Sequence, residues 1–159
     1  MEKVTRSIRI HAPVARVFDH LTNPIHLLEI WPSMVEVKNE AVQESGGHTF
    51  DWTYKMAGLP FHGHCETVEV ERNRLRVDRN ESGIPSTFRW QYRGEDDGTV
   101  VLLDVEYELP FALFGRLAAP FVRMLNAREA ETLLQNLKER MELKAAAEAE
   151  PQQHAASLH

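Results

Sequence analysis

Thr49-Phe50-Asp51-Trp52-Thr53-Tyr54-Lys55-Met56 alternates without a break, setting Phe50, Trp52, Tyr54 and Met56 against Thr49, Asp51, Thr53 and Lys55. Successive side chains of a strand point to opposite faces, so this is a half-buried strand with one aromatic face. The same period recurs downstream. Phe88, Trp90 and Tyr92 oppose Arg89, Gln91 and Arg93, and Val101, Leu103, Val105 and Tyr107 oppose Leu102, Asp104, Glu106 and Glu108. Upstream, Val4, Ile8 and Ile10 oppose Lys3, Thr5, Ser7 and Arg9, with Arg6 breaking the pattern. Turn signals at Ser45-Gly46-Gly47, Gly58-Leu59-Pro60, Arg72-Asn73, Ser82-Gly83-Ile84-Pro85 and Asp96-Asp97-Gly98 separate consecutive strands. The expectation is an antiparallel meander with one wet face and one buried face that carries Trp52, Trp90 and Leu103.

Helical spacing appears on both sides of this block. After Pro13, Val14, Val17, Phe18 and Leu21 fall at i, i+3, i+4 and i+7, and Asn23-Pro24 opens a second short helix that ends at Trp31-Pro32. After Pro110 the helical pattern runs to about Lys144. Ala119, Val122, Asn126, Ala130, Leu133, Leu134, Leu137 and Met141 form one stripe, and Phe114, Leu117, Phe121 and Leu125 form another on nearly the opposite side. Pro120 either kinks this helix or begins its main segment. The second stripe is then either reoriented onto the sheet or covered from outside, as in a homodimer. The reading is one domain over residues 1–144, followed by a flexible tail over 145–159 where periodicity fades around Pro151.

The bulk numbers exclude several classes. The chain of 159 residues is 43% hydrophobic and 26% charged, as folded domains are, and its net charge of −6 gives no global field for nucleic acid. A single cysteine, Cys65, excludes an internal disulfide. The sequence carries no apolar run that spans a membrane and no leader-like h-region at its start, so a cytoplasmic protein is expected. It has no phosphate-cradling glycine motif and no Gly-x-Ser-x-Gly elbow, and no cofactor is expected.

One strand, two short helices, six strands and a long helix resemble the helix-grip fold, an α+β architecture in which a curved antiparallel sheet wraps a C-terminal helix. The segment from Ser7 to Phe18 (SIRIHAPVARVF), then Leu21-Thr22-Asn23-Pro24 and Trp31-Pro32, resembles the opening of the START-like (SRPBCC) superfamily. The Gly98-Thr99 strand ending at Tyr107-Glu108-Leu109-Pro110, and the closing Leu137-Lys138-Glu139-Arg140-Met141-Glu142, are similar to its polyketide cyclase/dehydrase and lipid-transport branch. The resemblance spans roughly residues 4 to 143. It implies the fold, and a function among carriers, ligand receptors, chaperone-like modules and cyclases.

A sheet wrapped on one helix leaves an apolar cavity wherever side chains fail to fill it. Phe50, Trp52, Tyr54, Phe88, Trp90, Tyr92 and Tyr107 line or fill that space. Each is ordinary core taken singly, but buried tyrosine hydroxyls need partners, which favours a cavity with polar spots. Phe61-His62-Gly63-His64-Cys65-Glu66-Thr67-Val68-Glu69-Val70 is the most unusual strand. If Val68 and Val70 face the core, period two places His62, His64 and Glu66 beside them and Cys65 opposite. A three-residue loop would pair Tyr54 with His64 and Trp52 with Glu66. Such a His-x-His-x-Glu face suits a metal by residue type. Against that, a bulge near Gly63 would turn the outer half over, or a solvated mouth would leave the histidines wet. The expectation is an interior His64 and Glu66 that orient a ligand without a metal, and a buried Glu66 would have a raised pKa.

The preferred function is binding or transport of a small hydrophobic molecule, aromatic, polyketide-like or lipid. The contact residues would be Trp52, Tyr54, His64, Glu66, Trp90, Tyr92, Tyr107 and Asn126. A cyclase or dehydratase with His64 or Glu66 as the acid–base group is the alternative, and an interaction module with an incidental cavity is a third.

Overall fold

The computed structural model describes residues 1–157, with side chains described through residue 149. The chain runs β1 (Glu2–Ile10), α1 (Val14–Thr22), a 3-10 turn (Pro24–His26) and α2 (Leu27–Ile30). Then come β2 (Met34–Val42), β3 (His48–Met56), β4 (Leu59–Glu71), β5 (Leu75–Asn80), β6 (Ser86–Glu95), β7 (Gly98–Tyr107) and α3 (Phe111–Ser157). Asn23 starts the turn, its side chain accepting from the Ile25 N–H at 3.2 Å. The strands form one seven-stranded antiparallel sheet in the order β1-β7-β6-β5-β4-β3-β2. The meander from β2 to β7 is therefore continuous, and β1 closes against β7 from Glu2↔Tyr107 to Ile10↔Thr99.

The curved sheet grips α3, which makes this the α+β helix-grip architecture. The stripe on α3 explains the packing. Ala119, Val122, Ala130, Leu133, Leu134, Leu137 and Met141 are all buried, and so are Trp52, Trp90 and Leu103 on the facing strands. Trp90 and Leu103 sit directly opposite each other in the β6–β7 ladder. Polar ties fix the helix along its length. Asn136 Nδ2 donates to the Ile30 carbonyl at 2.9 Å, and Lys138 Nζ donates to that of Arg9 at 3.0 Å. The helix continues past Lys144 through Ser157, and residues 158–159, the end of the expected tail, lie outside the described residues.

The break in α3 falls at Gly115 rather than at Pro120. Gly115 has φ 73° and ψ 171°, which separates the turn Phe111–Phe114 from the main segment. A positive φ costs glycine little and other residues more, so glycine and not proline ends the first turn. Pro120 then lies near the start of the main segment, where few intrahelical N–H groups are lost.

The parity of β4 is opposite to the expected one over its outer half. The β3–β4 connection is a two-residue loop, Ala57-Gly58, with both residues at positive φ (49° and 84°) between the paired Met56 and Leu59. A two-residue loop with φ > 0 at both positions matches strand twist, and its place here shifts the register by three residues from the expected pairing, an odd number that inverts the facing. Tyr54 therefore faces Phe61, Trp52 faces Gly63 and Phe50 faces Cys65. A second irregularity, between Thr67 and Glu69, places Val68 outside and returns Val70 to the core side, so the parity read backward from Val70 fails at the bulge. Cys65 and Thr67 point inward, and His62, His64, Glu66 and Val68 point outward.

Gly63 makes this register workable. A Cβ there would lie 2.2 Å from Trp52 Cζ2 and 2.7 Å from the Ser82 carbonyl oxygen. Gly63→Ala should lower stability by about 1–3 kcal/mol through overpacking, read as a shifted urea midpoint, whereas an unchanged midpoint would contradict the Trp52–Gly63 contact.

A second buried feature joins α1 to α3. His20 stacks on His26 with ring centroids 3.9 Å apart, its Nδ1 lies 3.3 Å from Lys144 Nζ, and its Nε2 is buried without a partner. Burial, then the neighbouring His26 and Lys144, lowers its pKa to about 4. The unfolded chain takes up this proton near pH 6.5, and the folded chain resists it until about pH 4. Stability should therefore fall across that window as pH drops, by on the order of 3 kcal/mol. Urea melts from pH 7 to 4 should show this slope in the wild type and lose most of it in His20→Leu.

Candidate functional site

Between α3 and the inner face of the sheet lies a cavity of about 100 Å³, walled almost wholly by apolar side chains. Trp52 and Tyr54 come from β3, Cys65 from β4, Phe88 and Trp90 from β6, Leu103, Val105 and Tyr107 from β7, and Ala130 and Leu133 from α3. Strand alternation aims each of these inward, and the small Ala130 leaves room against the helix. Trp31, at the end of α2, closes one side. Its ring stands edge-on to Tyr54 with centroids 5.3 Å apart and tilts against Phe88 at 5.4 Å.

The polar groups in this space come from two places. On the inner face of β5, Arg76, Asp78 and Asn80 occupy alternate positions and are all buried. Arg76 Nε donates to Asp78 Oδ2 at 2.9 Å, and Nη1 donates to the Leu21 carbonyl of α1. The guanidinium also lies 5.5 Å from the centre of the Trp90 ring. Burial is the largest single influence on Arg76 and opposes its charged form. The Asp78 carboxylate, through charge and hydrogen bond, together with the neighbouring Tyr92 and Cys65 outweighs it and holds the guanidinium above its ordinary pKa. Asp78 also accepts from Thr67 Oγ1 at 2.8 Å, and Asn80 Oδ1 accepts from Trp52 Nε1 at 2.8 Å.

The second group gathers near α3. Asn126 Nδ2 donates to Tyr107 Oη at 3.0 Å, leaving the tyrosine proton free to donate elsewhere. Glu129 accepts from the Ser33 N–H at 2.7 Å. Burial first, and the nearby Glu129 second, push the Tyr54 phenol well above its ordinary pKa, and burial also raises that of Tyr107. Both are therefore protonated donors at neutral pH. Trp31 Nε1, on the cavity wall, is a buried donor with no partner.

Of the eight contact residues expected from sequence, Trp52, Tyr54, Trp90, Tyr107 and Asn126 line this cavity. Tyr92 is buried but lies elsewhere. It packs edge-on to Phe18 of α1 at 5.1 Å, its hydroxyl has no partner, and burial pushes its pKa up to about 12. His64 and Glu66 are on the outer face for the register reason above. His64 Nδ1 is 2.7 Å from Asp51 Oδ1, in a pair about half-exposed. His62 Nδ1 meets Thr53 Oγ1 at 2.9 Å, also on the outer face. No group of His, Cys, Asp and Glu among the described residues gathers three potential metal ligands. Glu66 is exposed, so the expected buried carboxylate is absent from the cavity.

Sequence reasoning missed Trp31, Arg76, Asp78, Asn80 and Glu129. The signal for the β5 trio was present. The β5–β6 ladder pairs Arg76 with Trp90, Asp78 with Phe88 and Asn80 with Ser86, so the parity that places Trp90 inside places the three polar residues there too. Trp31 and Glu129 carried no such signal, since neither periodicity nor charge marks them.

Comparison with known proteins agrees with this geometry. Residues 1–142 match the family described as "Polyketide cyclase / dehydrase and lipid transport". No curated protein matches the sequence. Among solved structures, TTHA0849 of Thermus thermophilus is similar at a TM-score of 0.79 and 24% identity, over 91% of this chain and 99% of that one. A START superfamily protein of Mycobacterium smegmatis gives 0.72 at 16% identity, over 89% and 97% of the two chains. The Zhui aromatase/cyclase of Streptomyces sp. R1128 gives 0.70 at 16% identity, over 91% and 95%. At these identities the likeness is one of fold.

The buried ion pair has a measurable signature. Arg76→Met leaves Asp78 buried without its cation and should cost about 3–5 kcal/mol in urea denaturation. Combining it with Asp78→Leu should restore most of that loss. A neutral single variant would contradict the desolvated pairing.

Proposed function

The chain belongs to the polyketide cyclase/dehydrase and lipid-transport family, and from that premise we propose that it binds a small, largely apolar molecule between the sheet and α3. The observation that carries this reading is the cavity itself, an apolar space with polar hydrogen-bonding groups on its walls. Trp31 Nε1 has no partner, Tyr107 and Tyr54 hold their protons, and Arg76 lies at the inner wall. Buried donors are seldom left unmatched, and Trp31 Nε1 is one that faces this space. A ligand with acceptor oxygens along an apolar body satisfies them.

The size of the space constrains the ligand. At about 100 Å³ it is smaller than the roughly 150 Å³ that accepts benzene, and well below the roughly 300–1,000 Å³ of drug-sized sites. Anything larger than one ring enters by displacing wall residues. Trp31 is held at the wall by ring contacts to Tyr54 and Phe88. We read Trp31 as the lid of the site, with Trp52, Tyr54, Trp90, Tyr107 and Asn126 as its contacts.

A cyclase or dehydratase reading is favoured by one observation, the Glu129 carboxylate on the cavity wall within the influence of the Tyr54 phenol. In that case Glu129 would move the proton and the phenols would steady developing oxygen charge. His64 and Glu66 take no part in either version.

A solvatochromic apolar dye should bind at one molecule per chain with micromolar affinity, about −8 kcal/mol. Ala130→Phe fills the cavity from the helix side and should weaken dye binding about tenfold or more while circular dichroism stays native. A dye that fails to bind, or that binds the filled variant equally well, would sink the ligand reading in both forms.

A further inference from the structure

The second apolar stripe of α3 is covered only in part: Phe114 packs on Phe61 and Leu125 is half-buried, whereas Leu117 and Phe121 receive no cover from the fold. Leu113, Leu117, Phe121 and Met124 are exposed, Leu117 completely at 100% relative exposure. Isolated exposed apolar residues are ordinary on a protein surface, but an aligned run on one helix marks a contact surface. Leu117, Phe121, Met124 and Arg128 recur at i, i+4, i+7 and i+11, one line along the main segment of α3. Arg116 and Arg123 flank it on one side, and all three arginines are exposed.

Charge decides what covers this face. From Leu109 through Arg128 the sequence holds three arginines and no aspartate or glutamate, in a chain whose net charge is −6. Arg123 is paired with Glu2 at 2.8 Å and lies 6.0 Å from the Phe111 ring, which ties the first turn of α3 to the main segment. Among the described residues Arg116 and Arg128 have no carboxylate partner, while Arg123 and the neighbouring Glu131 already have theirs in Glu2 and Arg6, so a second copy would set cation against cation with no free acid on the line. An apolar line with arginines on it and beside it instead suits an anionic lipid surface, where side chains enter the acyl boundary and guanidinium groups meet phosphates. Among the described residues no helix is long and apolar enough to cross a membrane, so the contact lies in the surface plane.

We propose that the exposed face of α3 formed by Leu117, Phe121, Met124 and Arg128, flanked by Arg116 and Arg123, docks on membranes that carry anionic lipid. The face lies on the side of α3 turned away from the cavity. Phe114, just before the Gly115 break, packs on Phe61 at 6.4 Å, and Asn126 and Glu129 of the same helix line the cavity. Docking does not depend on a bound ligand.

The test is co-sedimentation of the full chain with vesicles of phosphatidylcholine alone and of phosphatidylcholine mixed equally with phosphatidylglycerol, at low and high salt. The wild type should partition onto the mixed vesicles, and high salt should release it. Arg116→Ala should bind about fivefold more weakly. Leu117→Asp combined with Phe121→Asp should abolish partitioning, and because both positions are exposed the variant should keep its thermal midpoint and its dye binding. Three results would overturn the proposal: no partitioning onto mixed vesicles, partitioning that survives the double substitution, or a solution dimer that the substitution dissolves. Dye binding is measured without vesicles, so failure of docking and failure of the ligand reading are separable.

Discussion

The interior of this protein is organised around one ion pair. Arg76 and Asp78 sit on the same strand, two residues apart, with both side chains withdrawn from water on a sheet face that is mostly apolar. Removing two charges from water costs several kcal/mol for each ion, and their mutual attraction offsets it only when the remaining donors and acceptors are also satisfied. The surrounding structure supplies that satisfaction. The Leu21 carbonyl at the end of α1 accepts from the guanidinium, Thr67 of β4 donates to the carboxylate, and the Trp90 ring of β6 lies beside the cation. Four elements meet at this pair, so its geometry fixes how α1 seats on the sheet. Such an arrangement gains little stability over apolar residues of equal volume. Its presence beneath a cavity is easier to understand as a polar wall for that cavity than as a device for holding the fold.

Periodicity made the fold legible because most of the strands obey it. Alternation in β3, β6 and β7 placed Trp52, Trp90 and Leu103 inside, and a single stripe on α3 ran from Ala119 to Met141. The failures have a common origin. Period two carries facing information only relative to a reference, and one extra or missing residue inverts it. In β4 the reference was Val70, and the irregularity between Thr67 and Glu69 lies between it and the histidines. The positive-φ pair Ala57-Gly58 fixes the same strand from its other end, and it gives the true answer. Position along a strand is a separate matter from facing. Tyr92 points inward as its parity requires, but α1 covers that end of the sheet, and no alternation pattern says where a cavity stops.

The helix shows how local chemistry and tertiary packing divide the work. Pro120 is the conspicuous breaker in the sequence, but a proline near the start of a helix removes little. Gly115 is inconspicuous, and a Cβ at that position would meet nothing within 4 Å. Conformation and not crowding is what calls for glycine there. The break lets the first turn fold against Phe61 while the main segment keeps its buried stripe in register with the sheet. The stripe on the opposite side is thereby committed to the outside, which no view of the helix alone could decide.

Apart from the Asp78 and Glu129 carboxylates, the chemistry available inside the cavity is that of fixed donors. Burial holds the Tyr54 and Tyr107 phenols protonated far above neutral pH, the guanidinium of Arg76 cannot lose its proton, and an indole N–H is never an acid of use. None of these groups cycles a proton at physiological pH, and His62 and His64 lie on the outer face. A cavity of this kind distinguishes molecules by where their acceptor oxygens fall along an apolar body. A candidate lacking an acceptor leaves a buried donor unmet, a loss of about 1–3 kcal/mol for each group. Selectivity on this basis comes from placement alone, and it needs no more than the three walls that Trp31, Arg76 and Tyr107 already provide.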